Sequence, residues 1–118
     1  MTDLWRSGNV EVDGAQTRGW FVGHFLDPDQ VGLRATDAVE IKWFNHPAGD
    51  RRAELVTGEI RTTVLLLIRG RFRLELSEGS VLLATPGDYA MWGPGVDHTW
   101  EAEEDSTLLT VRWPSAAS

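Results

Sequence analysis

The sequence predicts an all-β domain, a sandwich or barrel of short strands. Three observations carry this. Apolar and polar residues alternate over short runs, as in residues 71–76. Gly, Pro and Asp punctuate the chain at regular spacing. Helical periodicity is scarce.

The elements follow in order. Residues 20–26 read as a strand ended by Asp27-Pro28-Asp29. Residues 38–44 form a second, closed by His46-Pro47-Ala48-Gly49. A polar segment then leads to residues 55–57 and 59–62. Residues 63–68, rich in apolar and β-branched side chains, suit a buried strand that turns at Gly70. In residues 71–76, Phe72, Leu74 and Leu76 share one face. After the turn at 77–80 the chain returns through 81–84. Residues 89–92, 98–102 and 107–113 complete the set. The tail, residues 114–118, is expected to fray.

At 118 residues the chain is read as one domain. The barrel core spans about 39–113, with N-terminal strands at about 10–30 packed on it. Hydrophobic content of 42% and charged content of 25% are ordinary globular values. The formal charge of −7 argues against nucleic acid and anionic membranes as partners. Without cysteine there are no disulfides, thiolate nucleophiles or cysteine metal sites. The longest apolar run, residues 64–68, is too short to span a bilayer, and the N-terminus shows no signal-peptide pattern. A cytoplasmic location is the default expectation. Lys42 is the only lysine, hence the only candidate for Schiff-base or Ser/Lys chemistry.

The run from Gly87 to His98 holds a turn, a short apolar strand and a Gly93-Pro94-Gly95 corner that delivers one histidine. It resembles the second conserved motif of the cupin superfamily. Gly87, Gly95 and His98 fall on that motif's places, Gly93 stands at its proline and Ala102 at its asparagine. The first motif is placed by Gly70, its final glycine. Thr63 then holds the place of the metal-ligating glutamate, Glu59 that of the second histidine and Thr57 that of the first. Residues 19–25, 39–43, 46–49, 56–59 and 92–98 are also similar to small bacterial single-domain cupins. Such chains are sometimes labelled signal peptidase I. A Ser/Lys peptidase of that type needs a spanning segment and a serine near a buried lysine, and no motif surrounds Lys42.

The resemblance implies a double-stranded β-helix, that is, a jelly-roll barrel with few or no helices. It also implies a homodimer paired through exposed edges. Regular alternation would put Thr57, Glu59, Arg61 and Thr63 on one side of a strand. If that side is inward, Glu59 needs a partner such as Arg61 or His98. The expected function is small-molecule binding in a pocket of Trp43, Trp92, Trp100, Thr57, Arg61, Thr63, Glu59 and His98, with Tyr89 as a further phenolic donor. One alternative is a metal-free acid/base enzyme, an isomerase or lyase, with His98 and Glu59 as its catalytic pair. Another is a divalent metal held by His98 and Glu59 with His46 or His24.

Overall fold

The computed structural model describes residues 4–116. Eight strands pair antiparallel throughout: β1 (Trp20–Val22), β2 (Glu40–His46), β3 (Thr62–Arg69), β4 (Phe72–Leu76), β5 (Gly79–Leu83), β6 (Tyr89–Trp92), β7 (His98–Ala102) and β8 (Ser106–Trp113). One sheet has the order β1-β2-β8-β3-β6 and the other β5-β4-β7. The all-β jelly-roll reading therefore holds. Among the described residues no helix is long and apolar enough to cross a membrane.

Alternation places the core. Leu65 and Leu67 of β3, Phe72 and Leu74 of β4, and Leu108 of β8 are buried. With Leu83, Ala90 and Ala102 they form the core between the sheets. Gly70 makes the tight β3–β4 turn at φ 104°, a region that favours glycine. A Cβ there would strike the backbone of Asp105 and Ser106, so the position also lets the chain leading into β8 pass close by.

The three-stranded sheet gains an irregular fourth edge from residues 49–56. Arg52 N–H donates to the Trp100 carbonyl at 3.0 Å. Val56 and His98 exchange two backbone hydrogen bonds, at 2.8 and 3.1 Å. This covers the open side of β7 without forming a strand.

Three expectations need correction. The strand expected over 20–26 ends at Val22, because Gly23 is followed by a loop. The remaining N-terminal structure is helical: α1 (Val10–Asp13), capped by Asn9, and α2 (Pro28–Val31), capped by Asp27 with proline in its first turn. Residues 57–61 are not a strand, so their side chains do not alternate in register with Thr63. Gly58, at φ 68°, breaks the extended path. Finally, the tail is tied down through Ala116. Ser115 is fully buried, and the amides of Ser115 and Ala116 donate to the Asp37 carbonyl at 2.9 and 3.1 Å. Residues 117–118, where fraying was also expected, and residues 1–3, read for a leader, lie outside the described residues.

Candidate functional site

On β2, Glu40, Lys42, Phe44 and His46 point between the sheets, opposite Arg112, Thr110, Leu108 and Ser106 of β8. Of these inward residues Lys42, Phe44, His46, Thr110 and Arg112 help to wall a cavity of about 540 Å³ that borders the packed core. Thr63 and Leu65 of β3, Trp92 of β6, Phe72 and Leu74 of β4, and His98 and Trp100 of β7 complete the wall. The volume lies in the range of small-molecule sites.

An aromatic cluster forms one side. The rings of Phe72 and Trp100 stack at 5.3 Å, and His46 lies 4.6 Å from Trp100. Asp50 accepts a hydrogen bond from His46 Nδ1 at 2.7 Å. His46 is buried, which lowers its pKa against the opposing pull of Asp50. His98 packs its ring 4.8 Å from that of Trp92, and burial lowers its pKa too. Both imidazoles are therefore neutral at pH 7. Two buried polar atoms of the wall, Thr63 Oγ1 and Trp92 Nε1, have no hydrogen-bond partner. Thr63 and Trp92 are cross-strand neighbours, so the two atoms lie close together within the barrel wall, out of reach from the cavity.

The other side of the cavity is cationic. Arg18, Lys42, Arg51, Arg52 and Arg112 line it. Burial, followed by the charges of Arg112, Arg18 and Arg52, brings the Lys42 pKa down to about 8. Lys42 Nζ lies 4.9 Å from the Phe44 ring and 5.5 Å from the Trp20 ring. The Arg112 guanidinium sits 4.4 Å over Trp20.

Arg112 is held by a carboxylate that sequence reasoning did not single out. Glu40 is 1% exposed. It accepts from Arg112 Nε at 2.7 Å and from Arg112 Nη2. Its other oxygen accepts from Ser115 Oγ at 3.0 Å and faces Arg61 Nε at 3.7 Å. The Ser115 carbonyl in turn accepts from Arg61 Nε and Nη2 at 3.2 and 3.0 Å. A buried carboxylate is tolerable only with such partners.

Of the residues expected at the site, His98, Thr63, Trp92, Trp100 and His46 line the cavity. Glu59, Thr57, Arg61, Trp43 and Tyr89 are not among its lining residues. Arg61 Nη1 donates to both Glu59 oxygens, at 2.9 and 3.2 Å. Burial raises the Glu59 pKa, but hydrogen bonds and charge from Arg61 outweigh it and hold the carboxylate ionised. Thr57 is exposed because its segment leaves the sheet. Trp43 points out of the barrel and donates from Nε1 to Glu11 at 2.9 Å. Tyr89 also faces outward, 64% exposed. His24 is bound to Ser115, at 2.7 Å from Nδ1 to Oγ.

Solved structures resemble this arrangement. KdgF from Halomonas sp. superposes with a TM-score of 0.61 at 21% identity, covering 69% of this chain and 74% of that one. A cupin superfamily protein from Desulfitobacterium hafniense gives 0.60 at 18%, covering 66% and 69%. A cupin protein from Bacteroides fragilis gives 0.60 at 17%, covering 77% and 75%.

The chain has the cupin fold. No family model matches it, and no curated protein matches it either. At these identities the likeness speaks for the fold alone.

Within this cupin barrel Thr57, Glu59, Thr63 and His98 stand at the motif's metal positions. Glu59 is engaged by Arg61, and Thr57 and Thr63 are poor ligands for a divalent ion. Among the described residues no three His, Asp or Glu side chains come together to hold a metal. The combination of His98, Glu59 and His46 or His24 is therefore not assembled. Lys42 has no serine among the other cavity residues, so nothing there matches a Ser/Lys pair.

The Glu40 network yields a stability prediction. Glu40→Gln removes the charge facing Arg112 and Arg61, and should cost about 3 kcal/mol by denaturant unfolding. A loss within about 0.5 kcal/mol of zero, the range of an ordinary surface change, would contradict the network's role.

Proposed function

We propose that this cupin barrel binds a small molecule in the cavity between His46, Trp100, Trp92 and His98. One observation carries the reading. A cavity of about 540 Å³ is walled on one side by the stacked rings of Phe72 and Trp100, with the His46 ring against Trp100. A flat apolar group stacked on such rings gains about 0.5–1.5 kcal/mol beyond the area it buries. The test is a fragment screen by thermal shift against the protein and a Thr110→Phe variant. Thr110 lines the cavity, and an aromatic side chain there fills space without disfavouring a strand. Fragments should raise the melting temperature of the parent and not of the folded variant. Equal shifts in both, or no shift at millimolar fragment, would sink the proposal.

A proton-transfer enzyme is the second reading, favoured by the His46–Asp50 pair. Here His46 takes the role of base that sequence reasoning gave to His98 and Glu59, and Asp50 orients its ring. Cavity ligands bearing an acidic C–H should exchange it with D2O, as read by proton NMR. His46→Gln should reduce the exchange at least about 100-fold, the usual worth of a general base. Absence of exchange in the parent protein leaves a binding protein only.

We further propose that two copies pair on the outer face of the larger sheet. Two cross-strand rows support this: Ile41, Val111, Val64 and Met91, and Trp43, Leu109, Leu66 and Tyr89. The pleat that turns Lys42 and Thr63 inward turns these residues outward. An apolar face of this breadth ordinarily marks an interface. Light scattering at micromolar concentration should give a dimer mass, and Leu66→Glu should give a folded monomer. A monomer mass for the parent chain contradicts the pairing.

A further inference from the structure

We propose that the mouth of the cavity is an anion subsite, and that the ligand is a small amphipathic anion: a carboxylate or phosphate group on a flat apolar body. The inference deepens the small-molecule reading and rests on it.

Charge distribution is the first ground. The chain carries 18 acidic and 11 basic residues, yet five of those 11 line this one cavity. A single carboxylate, Asp50, shares the wall with them, and it is committed to His46. Cations gathered against the sign of the whole molecule cost repulsion, which after burial is the second cause of the lowered pKa of Lys42. A bound anion relieves that cost.

Position is the second. Arg18, Lys42, Arg52 and Arg112 also line an outer groove of about 460 Å³ together with Gln16, Thr17 and Trp20. Residues common to the groove and the cavity stand at the rim between them. No carboxylate lines the groove. Among the described residues, Arg18, Lys42 and Arg52 form no salt bridge. Arg112 is different: Glu40 fixes it while its face lies on Trp20. The rim therefore holds one anchored guanidinium and three cations without a partner anion. Guanidinium forks and an ammonium suit carboxylate or phosphate oxygens equally.

Depth is the third. Behind the rim the wall turns aromatic, with Phe72 stacked on Trp100. An anionic head at the rim would leave the flat body of the ligand against these rings.

The test uses three probes that share a phenyl body: phenylacetate, phenylacetamide and phenyl phosphate. Calorimetry at low salt measures each against the parent protein, Lys42→Met, Arg52→Gln and a control, Arg69→Gln, from an exposed strand end. At least one anion should bind about tenfold more tightly than the amide, a difference of roughly 1.4 kcal/mol. That preference should shrink in both rim variants and persist in the control. The better anion of the two assigns the source as carboxylate or phosphate ester. Lys42 faces Arg112, Arg18, Arg52, Asp50 and His46, and loses its proton near pH 8. Anion affinity should therefore fall between pH 7 and pH 10 in the parent and stay flatter in Lys42→Met. If the amide binds as well as the anions, the anion subsite is overturned while the cavity reading survives. If neither anion binds and the fragment screen gives only neutral ligands, the subsite is again overturned. If no probe or fragment binds at all, both readings fall together.

Discussion

A buried carboxylate, Glu40, is the constraint on which the site depends. At 1% exposure its charge cannot be left unpaired, and two stretches distant in sequence from it converge to pair it. Arg112 comes from β8, Arg61 from the approach to β3, and Ser115 from the chain after β8. The same contacts set Arg112 over Trp20 at the cavity rim and pin the C-terminal segment against the barrel. Glu59 joins the edge of this network through Arg61, with Arg112 Nη1 at 3.9 Å from its second oxygen. Stability and the placement of a site residue thus share one ionic cluster.

Most strands were legible from the sequence. Residues 89–92 and 98–102 coincide with the expected limits, because the Gly93-Pro94-Gly95 corner separates them and Gly87 and an acidic run at 103–105 bound them outside. The site was legible only in part. His98 was reachable from its Gly-Pro-Gly corner, and Trp92 and Trp100 from their strands. Glu40 and Lys42 were not, since an inward face is ordinarily the apolar one. In β2 the pattern is inverted: Glu40 and Lys42 face inward, Lys42 into the cavity, while Ile41 and Trp43 face out. An interior that holds a charged cavity reverses the usual alternation, and both faces of the sheet then look half-buried. Glu59 was misplaced for a different reason. Motif counting carried it onto a strand, but the glycine at 58 takes the chain off the sheet and leaves the carboxylate to Arg61.

The architecture divides labour along the barrel. One part is a core of leucines and Phe72, which supplies the hydrophobic stabilisation and gives one wall of the cavity. Beside it, close packing gives way to a cavity with aromatic, imidazole and cationic walls. Holding several cations together is unfavourable in the empty protein, a common trade between stability and function. A ligand anion is the simplest group that would offset it.

Lys42 offers the most direct measurement of that trade. As the only lysine, it gives a single side-chain ammonium signal in protein labelled with carbon-13 lysine. Titration by NMR, with and without saturating phenylacetate or phenyl phosphate, reports the field at the rim. A midpoint near 8 in the free protein that moves upward with bound anion is the predicted result. A midpoint at the ordinary 10.5, unmoved by either anion, would contradict a cationic rim built to receive one.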